Sequence, residues 1–228
     1  MKVELLQGTL NATGLAGIAA ATCTRSHNTD KALKHAMTSG HDSVLEHVVF
    51  TFRVEGVSRA LLAQLTRHRI ASYSVESQRY CDMGEMPVVV PESIAGNADM
   101  MREWESLMTR IKSFYRYAVD QGIPKEDARY ATPQAAQTNL VLTMNARELR
   151  HFFSLRCCNR AQWEIRELAD RMLGLCMGEA PELFADAGPG CVRGECKEVK
   201  PCGKPRGSVD LRFLRNAEMQ VSDRHEVS

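Results

Sequence analysis

The residues best suited to chemistry lie between Arg67 and Tyr80, in the stretch R-H-R-I-A-S-Y-S-V-E-S-Q-R-Y. Arg67, His68, Arg69 and Arg79 stand there among three serines, two tyrosines and one carboxylate. Arginine presents a planar fork of donors that grips phosphate bidentately and stays charged at any physiological pH. The serines add small donors that fit among phosphate oxygens. The pattern suits a pocket for a phosphorylated ligand, with room for more than one anion. On charge alone the stretch reads equally well as a solvated basic turn. Its interleaving with Ile70, Ala71, Tyr73 and Val75, and its apolar helical flank, favour the pocket.

A second arginine group runs from Arg147 to Arg156. Arg147 and His151 are four apart and share one helical face. Arg156 lies five beyond His151, roughly 140° further round at 3.6 residues per turn. Such a helix addresses one ligand near its start and another at its end, with an ion pair of Arg147 to Glu148 or Glu164 as the lesser alternative. Arg129, alone before Pro133, reads from spacing only as a solvated cation. Arginines, amides and serines transfer few protons at neutral pH. They suit anion binding and stabilisation of developing negative charge, which leaves the difficult chemistry to a cofactor.

Other chemistries lack their signatures. There is no P-loop, G-x-G-x-x-G, G-x-S-x-G or C-x-x-C. His41 and His47 are six apart and share no helical face, and Cys191, Cys196 and Cys202 are loosely spaced, so no metal site is assigned. At 228 residues the chain fits one domain, or one domain with an appendage. A net charge of +1 argues against a general nucleic-acid binder, so any anion site must be a local concentration of arginine. The first residues, M-K-V-E-L-L-Q-G, show no signal-peptide pattern and no stretch approaches a membrane span, so a cytoplasmic protein with reduced thiols is expected.

Several elements must position these groups. Residues 2–6 read as a short strand, Ala12 to Thr24 as a helix of small residues, and Asp30 to Met37 as a helix with Asp30 as N-cap and Gly40 beyond its end. Val48 to Val54 is β-branched and aromatic, hence a strand. Ser58 to Thr66 is an amphipathic helix whose last turn carries Gln64, and it delivers the chain into the arginine stretch. Met86 to Pro91 reads as an edge or connecting strand. Asp99 to Gln121 is a long helix with an apolar stripe (Trp104, Leu107, Ile111, Phe114, Tyr115, Val119), either core or an oligomer face. Pro124 opens a short helix, Gln137 to Thr143 is a strand, and Asn145 caps the helix bearing Arg147 and Arg156. Ala161 to Cys176 forms a last helix, and the extreme tail, 221–228, looks disordered.

The opening stretch fits the pattern R-H-R-x-x-S-x-x-x-x-S-x-R, with Arg67, His68, Arg69, Ser72, Ser77 and Arg79 at the specified places. In this it resembles the flavin-dependent thymidylate synthases. The likeness extends through Gly40-His41 to Phe52, Asn145-Ala146-Arg147 to Arg156, and Ala161-Gln162-Trp163-Glu164-Ile165. The resemblance implies an α/β fold, a mixed sheet packed with long helices, in a single-domain subunit of a homotetramer. It implies a catalytic domain over 1–190 and a cysteine-containing tail over 191–228. The implied reaction is methylation of dUMP to dTMP, with methylenetetrahydrofolate as carbon donor, FAD as cofactor and NADPH as reductant. Carried over by motif, Ser43, Arg67, His68, Arg69, Asn145, Arg147 and His151 would contact FAD. Gln64, Arg67, Glu76, Ser77, Gln78, Arg79, Arg129 and Arg156 would hold dUMP, with Arg129 supplied by another subunit and Arg156 the catalytic residue. The family is not expected to use an enzyme nucleophile, so no cysteine is required. Many members carry Glu two places before the motif serine; here that place is Val75, and Glu76 follows.

Overall fold

The structure, a computed structural model, describes residues 1–206. The expected disorder of 221–228 lies outside the described residues. In chain order the elements are β1 (Lys2–Gly8), α1 (Ala12–Thr24), α2 (Thr29–Thr38), a 3-10 turn (Asp42–His47), β2 (Val49–Ser58), α3 (Arg59–Leu65) and β3 (Ala71–Val75). There follow α4 (Glu92–Ala95), α5 (Ala98–Asp120), α6 (Lys125–Ala128), a 3-10 turn (Arg129–Ala131), β4 (Gln137–Asn145), α7 (Ala146–Arg156), α8 (Trp163–Glu179), α9 (Pro181–Phe184) and a last 3-10 turn (Gly190–Val192).

The strands form one sheet in the order β1-β2-β4-β3. The sheet is antiparallel rather than mixed as expected. Its register shows why: the Thr51 and Thr143 hydroxyls meet at 2.9 Å, and five residues along β2 the Gly56 N–H donates to Asn139 Oδ1 at 2.9 Å, so β4 runs the other way. No helix crosses over between parallel neighbours because the central pair β2–β4 is antiparallel.

The chain divides into two compact units. The larger comprises Lys2–Arg53, Arg67–Tyr73 and Val141 onward. Its core is aromatic: Phe50 meets Phe184 edge-on at 5.5 Å, Phe184 meets Phe153 at 6.0 Å, and Phe153 meets Phe152 at 5.7 Å. Edge-to-face pairs at these spacings add to the apolar area they bury. Within this unit α1 packs on α2, and α8 packs on α7, α9 and β1. The smaller unit comprises Met1, Val54–Thr66 and Ser74–Leu140. Its core gathers Met83, Met86, Tyr115, Ala118, Ala128 and Ala136.

Several helix ends differ from expectation. The N-cap of α2 is Asn28, not Asp30; Asn28 Oδ1 accepts from Lys31 N at 2.9 Å, and Asp30 sits in the first turn, where its charge suits the positive end. Pro124 precedes α6 as its cap position, and Gln162 caps α8 by accepting from Glu164 N and Ile165 N. Gly40 takes φ 73°, the left-handed turn that follows α2. Met86–Pro91 forms a single antiparallel bridge, Val88 to Ala136, and no strand. Conversely, β3 was hidden inside the arginine stretch, where Ala71, Tyr73 and Val75 are half-buried while Ser72 and Ser74 face out. On α5 only Tyr115 and Met108 of the large apolar residues are buried; Leu107 and Phe114 stay exposed.

Phe50→Ala removes a fully buried ring touching Phe184 and is expected to cost about 3–5 kcal/mol. Urea unfolding measures this as a lowered midpoint at unchanged slope; a loss under about 1 kcal/mol would contradict the packing described.

Candidate active site

In the larger unit the site grows from the junction of β4 and α7. Asn145 ends the strand and caps the helix, its Oδ1 accepting from Glu148 N at 2.8 Å. The cap fixes the helix phase, and with it the direction of every side chain from Arg147 to Arg156. Arg147 and His151 share one face, as expected, and line a cavity of about 560 Å3 with Asn145, Ser154 and Arg193. That volume falls within the range of small-molecule sites. Asp42 and Glu46 of the first 3-10 turn close another wall, and Arg147 is ion-paired with Glu46. Glu46, and neither Glu148 nor Glu164, is therefore the partner of Arg147.

Glu148, which also lines this cavity, takes part in a buried chain of hydrogen bonds. His68 Nδ1 lies 2.9 Å from Glu148 Oε1, and Arg156 Nε donates to His68 Nε2 at 3.1 Å. His68 and Glu148 are 5% and 7% exposed. The ring edge packs on Phe152 at 4.9 Å and faces His151 at 5.9 Å. The Tyr73 hydroxyl donates to the His68 carbonyl at 2.9 Å. Because an arginine keeps all its protons, His68 Nε2 must offer its lone pair, so the proton of the neutral ring sits on Nδ1 and is donated to Glu148. Burial lowers the His68 pKa below its ordinary value, the Glu148 carboxylate pulls it back up, and the charges of Arg156 and His151 push it down again. Burial, helped by Glu148, raises the Tyr73 hydroxyl to about 12.

Arg150, on the same helix, is structural. Its guanidinium donates to the Leu183 carbonyl at 2.6 Å and to Asp186 at 2.7 Å, and that hydrogen bond holds Asp186 below the usual carboxylate range. Arg67 and Arg69 are exposed on either side of His68. Ser43 does not join the α7 cavity; it lines a separate one of about 380 Å3 with Cys23, His35 and His41.

The smaller unit gathers the remaining predicted residues. Ser77 Oγ accepts from Arg79 N at 3.3 Å, and buried Gln78 donates to Thr132 Oγ1 at 3.3 Å. Arg79 Nε lies 2.8 Å from Glu126 Oε2, while Arg129 Nε donates to the Glu126 carbonyl at 3.0 Å. Gln64 bonds back along its own helix, to the Ala60 carbonyl at 3.2 Å. Glu76 Oε2 accepts from Asn139 Nδ2 at 2.7 Å, which ties it to β4. Sequence reasoning missed Arg59, which follows the N-cap Ser58 and donates to Thr138 Oγ1 at 3.3 Å. Burial lowers its pKa, Glu76 opposes that, and Arg129 adds to it. Three of this unit's guanidiniums (Arg59, Arg79 and Arg129), with Ser77 and Gln78, offer a donor set for an anion. Arg59 carried no signal in the sequence beyond its charge; Glu148 carried one, its place four before Phe152 and eight before Arg156.

Residues 4–182 match the model of the thymidylate synthase complementing protein family. A relative in Geobacter sulfurreducens, a flavin-dependent thymidylate synthase, is 49% identical over 219 residues, covering 90% of this chain and 94% of its own. The chain belongs to the flavin-dependent thymidylate synthase family. It is an enzyme of that kind. A second family member, from Nitratidesulfovibrio vulgaris, is 51% identical over 179 residues, covering 74% of this chain and 73% of its own. Among solved structures, thymidylate synthase X of Helicobacter pylori with FAD and dUMP superposes with a TM-score of 0.69 at 28% identity, covering 82% of this chain and 99% of the other. The matched family segment contains both arginine groups and ends before Cys191.

The depressed His68 pKa has a stability consequence. The unfolded chain takes up a proton near the ordinary histidine pKa, about 6.5, while the folded chain resists until lower pH. The neutral ring is therefore fully stabilising above about 6.5, and that contribution is lost as pH falls towards the folded value. His68→Gln keeps a donor and an acceptor without titrating, so its urea midpoint should fall less than that of the native chain between about pH 7.5 and 5. Equal falls would show that His68 does not titrate as described.

Proposed function

We propose that this enzyme methylates dUMP to dTMP, taking the carbon from methylenetetrahydrofolate, with FAD as cofactor and NADPH as reductant, in the cytoplasm. The observation that carries the reading is the guanidinium of Arg156, half-buried and held through Nε by a neutral imidazole inside the R-H-R motif. A cation fixed in this way is suited to meet negative charge that develops on a pyrimidine ring. Such preorganised donors are worth most where water is excluded.

The residues at the α7 cavity fit a dinucleotide cofactor by their donor chemistry. Arg147 and Arg193 are cations for phosphates, His151 and Ser154 are further donors, and the N-terminal turn of α7 carries the positive end of a helix dipole. Asn145, Arg147 and His151 would hold FAD there, with Arg67 and Arg69 from the motif. His68 would contribute through its place in the backbone, since Glu148 and Arg156 already use its ring nitrogens. Bound FAD, once reduced by NADPH, would supply a hydride, the two electrons needed to turn a methylene carbon into a methyl group.

For dUMP, Ser77, Gln78, Arg79 and Arg129 would bind the phosphate as small and bidentate donors. Gln64, Arg67 and Glu76 would set the nucleoside's orientation. Arg156 would lie at the uracil edge and stabilise the anion left when the N3 proton departs, which makes the ring a better carbon nucleophile. No enzyme nucleophile is invoked.

A homotetramer with Arg129 serving another subunit's site is part of the same reading. Its support is the outer face of α5, where Met100, Leu107 and Phe114 are exposed and Trp104 and Ile111 are partly so, spaced alternately by four and three residues. That period is the one that seats a second helix.

The purified protein should be yellow and should form dTMP from dUMP when NADPH, FAD and methylenetetrahydrofolate are all supplied. A colourless protein that takes up no FAD, or no product under those conditions, would sink the proposal. Arg156→Ala should retain flavin and lose roughly 100- to 1,000-fold in kcat; near-normal turnover would remove Arg156 from the mechanism. Light scattering should give a tetramer, and a fully active monomer would refute the shared site.

A further inference from the structure

We infer that Glu148 is a positioning residue for Arg156, acting through His68. The inference rests on the catalytic reading of Arg156 just proposed and assigns Glu148 a part in that site. Three side chains on one face of α7, at intervals of four, converge on the His68 ring: Glu148 accepts a hydrogen bond from its Nδ1–H, Phe152 packs its edge and Arg156 donates to its Nε2. An imidazole has two tautomers, and only the one protonated at Nδ1 can accept from an arginine at Nε2. Glu148 selects that tautomer, because a carboxylate accepts and never donates when ionised. Without it the ring could carry its proton on Nε2, which would face the Arg156 Nε–H with a second donor and break that hydrogen bond. The carboxylate therefore acts on the arginine without touching it.

The same geometry gives the site an acid limit. A proton added to His68 goes on Nε2 and breaks the bond to Arg156. The charged and titratable groups facing the ring are Glu148, His151 and Arg156 from α7 and Tyr73 from β3. Of these, only the Glu148 carboxylate favours the protonated ring; burial, Arg156 and His151 oppose it. Removing the Glu148 charge while keeping an acceptor makes His68 harder to protonate, so the Nε2 lone pair persists to lower pH.

The test is Glu148→Gln in the FAD-loaded full-length enzyme. Its kcat should fall several-fold at neutral pH with KM for dUMP within about twofold, and the acid limb of the kcat profile should move to lower pH by about one unit, the scale of one adjacent charge. A variant that only loosens the fold would lower kcat without moving the limb. Nitrogen-15 spectra of the histidines give a readout independent of turnover. At neutral pH the resonances lost in His68→Gln should show a protonated Nδ1 and an unprotonated Nε2, and Glu148→Leu should abolish that single tautomer. A tautomer mixture or an Nε2-protonated ring in the native protein overturns the inference, as does an unmoved acid limb in Glu148→Gln. Near-normal turnover in Arg156→Ala overturns the reading of Arg156 and this inference with it. An inactive Arg156→Ala beside an unmoved limb overturns this inference alone.

Discussion

The site depends on a carboxylate and an imidazole that have both left water. A buried charge without partners is expensive, and a buried carboxylate usually responds by taking a proton. Glu148 has two compensations: it accepts from His68 Nδ1, and it lies in the first turn of α7, at the positive end of the helix. Arg156 lies in the last turn, where the helix dipole favours a cation. The chain of bonds from Glu148 through His68 to Arg156 thus runs alongside α7 with the negative group at its N-terminal end and the positive group at its C-terminal end. Phe152 fills the space between and keeps water from competing for the bonds.

One helix serves several surfaces because of its pitch. At 3.6 residues per turn, positions four apart stay within about 40° of each other, while neighbours diverge by about 100°. Arg147 and His151 look into the cavity, Glu148, Phe152 and Arg156 onto His68, and Leu149 and Phe153 into the core. Arg150 takes the next direction and anchors to Leu183 and Asp186. Sliding α7 by one residue would exchange all these roles, and the Asn145 cap, set by the end of β4, is what prevents it.

This explains which parts were legible in the sequence. The helices α1, α3, α5 and α7 and the strands β1, β2 and β4 announced themselves through periodicity and capping residues, so their bounds came within a few positions. β3 was obscured because its alternation used serines and a tyrosine beside arginines, a composition that also fits a solvated turn. The face of α7 carrying Arg147 and His151 could be read from spacing, because both are cationic or nearly so. The spacing of Glu148, Phe152 and Arg156 was as visible, but what joins them was not, because their common partner, His68, is eighty residues from Glu148 and meets it only in the fold. Arg59 shows the same limit: a helix-opening arginine looks solvent-bound until β4 brings Thr138 to it. Ser43 shows the reverse, since a motif placed it with Arg147 and the fold gives it a different cavity.

The sequence sets 191–228 apart as a tail with loosely spaced thiols, yet its described residues, 191–206, finish the surroundings of α7. Arg206 donates to the Cys157 carbonyl at 2.7 Å, at the C-cap of that helix, and to Asp170 of α8 at 2.8 Å. Asp170 is buried, and burial drives its pKa up while Arg206 opposes the shift. A carboxylate in that position would be costly without its cation, because each buried charge needs a partner to remain charged. Arg160 and Asn159, in the turn between α7 and α8, hold the same segment through the Lys200 and Lys204 carbonyls. Side chains on either side of Arg156 in sequence are therefore constrained from both directions, by Glu148 through His68 on one side and by Arg206 at the helix end on the other. The tail's contribution lies in Arg206, which joins a buried carboxylate of α8 to the carbonyl of Cys157, the residue next to the guanidinium that the rest of the helix is arranged to hold.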